Sequence, residues 1–251
     1  MRSLSEASLH SFLEDKTKLY NKSSFIQDDP VSIPHLFSKQ EDIEISAFLT
    51  ATISWGQRKT ILKNAHSLIE RMDGAPHQFI LSFKNSDLLS FKKFKHRTFN
   101  GDDCIFFLKS LKNIYKKHEG LEQLFRQNQS TENQMKQGIQ SARKAFFSIP
   151  HEVRQQKHFS DPERGSAAKR LNMFLRWMVR KDEFGVDLGV WKNISSSILL
   201  CPLDVHSGRV ARKLGLLQRK QDDWQAVIEL TDRLKRFDPK DPVNMTLHCL
   251  V

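Results

Sequence analysis

Cysteine is scarce and scattered: Cys104, Cys201 and Cys249 are the only three. Without paired spacing they build neither a disulfide framework nor a zinc site, and three thiols cannot complete a four-cysteine iron–sulfur cluster. Reduced structural thiols are expected, with no metal and no cofactor. Long apolar runs are missing too, since nothing approaches the roughly 20 residues of a membrane span. The start, Met1-Arg2-Ser3, lacks the apolar core of a signal peptide. No basic amphipathic helix with a lipid-facing aromatic stripe stands out. These absences point to a cytoplasmic protein without a membrane partner. Acidic residues are the minority, 29 against 40 Lys and Arg, leaving a net charge of +11. Residues 151–220 carry 14 basic and 7 acidic residues, so +7 of that total lies in 70 residues. Such an excess is either a solubilising surface or a footprint for a polyanion, whose condensed counterions it would release.

Strand signals are few and helix signals recur. Ser3-x-x-Glu6 reads as a capping box ahead of Leu9, Phe12 and Leu13. From about 41 to 54, Ile45, Phe48, Leu49 and Ile53 share one face, and a second helix follows Gly56 and stops at Gly74. Asn100-Gly101 reads as a turn, with Asp102 or Asp103 capping the next helix. Residues 128–138 are polar and Gln-rich, as a loop or subdomain seam would be. Ser160-Asp161-Pro162-Glu163 reads as another helix start and Ser166 as a restart. A last helix is expected to bury Trp224, Val227, Ile228, Thr231 and Leu234. Eighteen phenylalanines supply bulky core material. The fold class is therefore all-α.

One segment carries chemistry: Cys201-Pro-Leu-Asp-Val-His-Ser-Gly-Arg-Val-Ala-Arg-Lys-Leu-Gly215. A proline-fixed extended approach presents Asp204 at a helix N-terminus, where the helix dipole favours an ionised carboxylate. His206 lies beside it, and Arg209, Arg212 and Lys213 are placed to reach phosphates. The same spacing also suits an ordinary Asp cap followed by a solvated basic face.

This segment resembles the Pro-Val-Asp-x-His-x-x-Arg-Val-x-x-Arg-Leu-Gly signature of helix-hairpin-helix DNA glycosylases. The resemblance implies a two-lobed, all-helical fold over residues 1–251, with lobes 1–40 plus 150–251 and 41–149. It also implies base-excision repair. Asp204 would stabilise the oxocarbenium character that develops as a damaged base leaves. The superfamily's usual Gly-x-Gly hairpin closely followed by Lys is missing; Gly185 and Gly189 are too far apart, and Lys192 is too near Asp204. Gly165-Ser-Ala-Ala-Lys-Arg-Leu-Asn-Met-Phe174 instead resembles archaeal 8-oxoguanine glycosylases, which place the lysine earlier on a helix. Lys169, thirty-five residues before Asp204, is then the expected Schiff-base nucleophile, provided burial strips its proton. Otherwise Lys169 and Arg170 would only bind phosphate or water.

Ala51-Thr-Ile-Ser-Trp-Gly-Gln-Arg-Lys-Thr60 is similar to the superfamily's Leu-x-Ser-x-Gln element, which brings Gln57 towards a disrupted base stack and Arg58 and Lys59 to the backbone. Trp55, Phe99 and Asn100 are base-pocket candidates. The expected partner is double-stranded DNA bearing a damaged base, bound by a monomer that is nucleoid-associated when on DNA. A non-catalytic DNA-binding protein on the same scaffold is the alternative. Nearly the whole chain also resembles an uncharacterised bacterial family distantly related to these glycosylases. That family would continue after Val243 with Lys-Tyr-Asp-Phe-Ala-Leu-Phe-Gly. Deleting one adenine from a synonymous coding of that helix reproduces Asn244 to Leu250. A frameshift or truncation after about 243 is therefore expected, and sequencing the gene tests it.

Overall fold

The computed structural model describes residues 5–126 and 133–245. In chain order the helices are α1 (Glu6–Tyr20), α2 (Gln40–Ile53), α3 (Arg58–Glu70), α4 (Pro76–Ser82), α5 (Gly101–Lys117), α6 (Glu122–Phe125), α7 (Gln134–Phe146), α8 (Lys169–Val179), α9 (Val205–Lys213) and α10 (Trp224–Lys235). The only sheet among the described residues is an antiparallel hairpin, β1 (Lys95–His96) with β2 (Phe99–Asn100), in which His96 pairs with Phe99. The fold class is all-α. No described helix is long and apolar enough to cross a membrane.

Local chemistry accounts for the helix ends and moves several expected boundaries. Ser5, not Ser3, caps α1, its hydroxyl accepting from Ser8 N; Ser3 lies outside the described residues. Asn100 rather than Asp102 or Asp103 caps α5, and Asp103 closes the box by accepting from the Asn100 N–H at 2.9 Å. Helix α7 already begins at Gln134, so residues 134–138 of the Gln-rich stretch are helical; residues 127–132 lie outside the described residues. Asp161 caps only a single 3-10 turn, Pro162–Arg164, and α8 starts at Lys169 rather than at Ser166. Of the residues after Val243, Asn244 and Met245 are described and residues 246–251 lie outside the described residues.

The chain divides into two compact units, residues 27–159 and residues 1–26 with 160–251. The first is built on phenylalanine. Helix α2 is buried along nearly its whole length, and Phe48 meets Phe107, Phe146 and Phe159. The rings of Phe107 and Phe146 stand 4.7 Å apart, edge to face, the arrangement ring quadrupoles favour. Gly101 opens α5 where a Cβ would lie 2.1 Å from the Lys92 carbonyl oxygen. Gly101→Ala should therefore destabilise this unit by about 1–3 kcal/mol. Urea denaturation followed by circular dichroism would measure it, and an unchanged midpoint would remove that packing constraint.

The second unit packs Phe174 edge-on against Trp191, with ring centroids 5.3 Å apart. It buries Leu9 and Leu13 of α1 together with Trp224, Val227 and Leu230 of α10. At the C-terminal end of α8 lies a buried ionic network. Asp187 accepts from Arg176 at 3.0 Å and from Arg180 at 2.9 Å. Arg180 also reaches Asp241 at 2.7 Å and Asp182 at 2.5 Å. Burial opposes the Arg180 charge, but Asp241 and Asp187 beside it hold its pKa above the usual value.

Candidate active site

Asp204 and Lys169 occupy the starts of two helices in the same unit. The approach to α9 is buried at Cys201, Pro202 and Leu203, and Cys201 N donates to Thr231 Oγ1 of α10 at 3.0 Å. Burial pushes the Cys201 thiol up to about 12, so this residue packs and does not react. The loop before α8 is tied to the other end of the same helix: Ser166 bridges Asp223, and Trp224 N donates to Gly165 O at 3.0 Å. Helix α10 thus anchors both arms, and their ends meet where the Lys169 ammonium donates to Asp204 Oδ2.

The other carboxylate oxygen of Asp204 is fully used. Oδ1 accepts from Ser207 N at 2.9 Å, Ser207 Oγ at 3.0 Å and His206 N at 3.1 Å. In return Asp204 N donates to Ser207 Oγ at 2.9 Å, completing a capping box. Ser207 is a site residue the sequence reading passed over, although Asp-x-x-Ser before a helix was its signal. Burial acts to raise the Asp204 pKa; the Lys169 ammonium and the Ser207 backbone and hydroxyl outweigh it and hold the group at about 2.

A carboxylate so depressed links protonation to stability. The unfolded-state value is near 4, so the contribution is whole above pH ~4 and fades as pH falls towards 2. With the pair about one-third exposed, screening reduces it to on the order of 1 kcal/mol. The stability difference between wild type and Asp204→Asn should accordingly shrink between pH 5 and pH 2.5 in urea titrations. A pH-independent difference would show that Asp204 acts only as a neutral cap.

Lys169 differs from expectation in one respect. Its side chain is 31% exposed and that of Asp204 30%, so the lysine is not desolvated; the ion pair and not a dry pocket defines its surroundings. Preceding it, buried Ala168 takes the left-handed backbone conformation, φ 48°, unusual for any residue with a Cβ. Ser166 Oγ accepts from Ala168 N at 3.2 Å, and Asn172 Nδ2 donates to Ala167 O at 3.1 Å. This clamp aims Lys169 at Asp204.

The remaining candidates separate into available and committed side chains. His206, Arg209 and Lys213 are exposed along α9. Arg212 is not available: it donates to Arg219 O at 2.7 Å and pairs with Asp222 at 2.7 Å, stapling the loop between α9 and α10. In the other unit Gln57, Arg58 and Lys59 are exposed at the start of α3, and the Gln57 side chain makes no capping bond. Trp55 is half-buried, meeting His96 edge-on and His158 in a stacked arrangement. Phe99 cannot line a base pocket, since it is fully buried against Phe94, Phe107 and His158. Asn100 is likewise withdrawn, its side-chain oxygen accepting from Asp103 N at 3.0 Å.

A family model described as a protein of unknown function (DUF2400) matches residues 29–247. No curated protein and no solved structure matches the chain.

Proposed function

We propose that this chain, which belongs to the DUF2400 family of proteins of unknown function, is a DNA N-glycosylase with a two-lobed, helix-hairpin-helix-like scaffold. The single observation carrying the reading is the direct contact of Lys169 with Asp204 across thirty-five residues of sequence. A lysine ammonium beside a carboxylate that is ionised at neutral pH, both about one-third exposed, is a pairing suited to glycosidic cleavage with sugar capture. The glycosylase-like motif around Asp204 and the basic excess of residues 151–220 support the same reading.

The chemistry balances between this pair and the nucleotide. A nucleotide extruded from the duplex would bring its sugar C1′ to the site, because C1′ is inaccessible in the stack. As the C1′–N bond breaks, the base leaves with the bonding electrons and takes a proton from the Lys169 ammonium. Asp204 stabilises the cationic sugar. Lys169, now an amine, donates its lone pair to C1′; the C1′–O4′ bond then breaks, O4′ takes its electrons and the second proton from the nitrogen, and the ring-opened, protonated Schiff base forms. Asp204, ionised down to a pKa of about 2, is too weak a base to take that proton from Lys169 at neutral pH.

The test is borohydride trapping on duplexes bearing oxidised, deaminated or alkylated bases, 8-oxoguanine among them, beside a base-release assay. An adduct lost in Lys169→Gln supports the bifunctional reading. Release without an adduct keeps Asp204 and replaces Lys169 by water. Binding without release, surviving Asp204→Asn, makes the protein a non-catalytic DNA-binding module.

A further inference from the structure

Resting on the DNA reading above, we infer that helix α3 and the segment 88–101, which contains the hairpin β1–β2, form a second DNA-contacting surface, which grips the sugar-phosphate backbone through seven cations, Arg97 among them. Residues 54–69 and 88–101 contain Arg58, Lys59, Lys63, Lys92, Lys93, Lys95 and Arg97, and no Asp or Glu. All seven are exposed, and among the described residues none pairs with a carboxylate. The fold sets the two segments side by side. Asn64 Nδ2 of α3 reaches the Lys95 carbonyl at 3.4 Å and His96 Nδ1 at 2.8 Å. His96 Nε2 meets the Trp55 carbonyl oxygen at 3.0 Å. Further along, the Arg97 guanidinium lies over Gly56, 3.0 Å from where a Cβ would stand.

The hairpin tip shows that the cation is kept against local preference. A two-residue hairpin loop favours Asn-Gly, whose backbones tolerate positive φ. Here Arg97 takes that position at φ 53°, followed by Thr98. The conformation gains nothing from an arginine side chain, whereas the side chain gains a fixed place above the glycine. Like charges gathered without counter-charges repel, so the strip is relieved by a polyanion that replaces many counterions at once.

The experiment measures binding of the full chain to an undamaged DNA duplex as a function of salt. Arg97→Gly, which suits the positive φ and preserves the hairpin, should lower the slope of log K against log salt by about 0.9. The triple change Lys92→Gln, Lys93→Gln, Lys95→Gln should lower it by about 2–3 and weaken binding roughly tenfold at 0.15 M salt. Lys144→Ala, on α7, controls for net charge and should change the slope by less than half as much as Arg97→Gly. Circular dichroism verifies folding of each variant. Unchanged slopes in both hairpin variants, tighter binding to RNA than to DNA, or an equal effect of Lys144→Ala would overturn the surface. Wild-type protein that binds in this way but releases no base from any lesion would defeat the glycosylase reading and leave the surface standing. No binding even at low salt would defeat both.

Discussion

If the protein is the glycosylase proposed above, Asp204→Asn should lower single-turnover base release by about 10²–10³-fold and leave helix α9 in place. Asparagine caps a helix about as well as aspartate, so the amide oxygen keeps the bonds from His206 N and Ser207 N. What disappears is the negative charge that pairs with the Lys169 ammonium and that, in the proposed reaction, would stabilise the developing sugar cation. Asp204→Ala removes the cap as well, with about 1 kcal/mol of stability lost besides the chemistry. The contrast between the two variants separates the carboxylate's electrostatic part from its structural part. Lys169→Gln differs again, because it eliminates the trapped adduct while the capping box of Asp204 and Ser207 remains closed. Full base release by Asp204→Asn, under conditions where the wild type turns over, would refute the catalytic assignment.

Asp187→Ala is the variant with the largest expected effect on stability, about 3–5 kcal/mol. The Asp187 side chain is 1% exposed and accepts from Arg176 and Arg180, whose side chains are 7% and 3% exposed. Removing it strands cationic charge in a place water does not reach. Arg180 retains Asp182 and Asp241, which keeps the loss below that of an isolated ion. Asp187→Asn, which keeps an acceptor without the charge, should recover part of the loss. The network sits at the far end of the helix that begins with Lys169, so lyase activity should decline with stability when α8 is loosened. Urea denaturation gives the first quantity and adduct formation at fixed temperature the second. A loss under 1 kcal/mol in Asp187→Ala would mean that the arginines find water or other carboxylates, and that the network does not hold α8.

The two results draw on features of different legibility. The helix containing Asp204 is written locally: a proline-led approach, an Asp at the cap, Arg and Lys in the last turn and a glycine after it. The Asp187 network is not, since a carboxylate in a Gly-containing loop gives no sign that two arginines of the preceding helix will bury it. Phe99 shows the same limit from the other side. Its place beside a polar turn made it a plausible exposed ring, and only the convergence of α5 and the hairpin on it makes it core. Arg212 carries the spacing of a phosphate contact, yet the fold of the 214–223 loop claims it for Arg219 O and Asp222.

The sequence by itself determined that the protein is helical, because apolar residues recur at helical spacing and capping residues stand where helices begin. It also determined the basic surplus, a property of composition that no packing alters. It singled out Asp204 and Lys169 as residues worth joining. Only the tertiary structure decided that they meet, through two arms fastened to opposite ends of α10 at Thr231 and at Asp223–Trp224. It also decided that Lys169 is ion-paired rather than desolvated, and that helix α3 and the hairpin lie side by side. The physical reason is common to all three. Local pattern reports on bonds within a few residues, whereas proximity, burial and summed charge depend on which distant segments the core packs together.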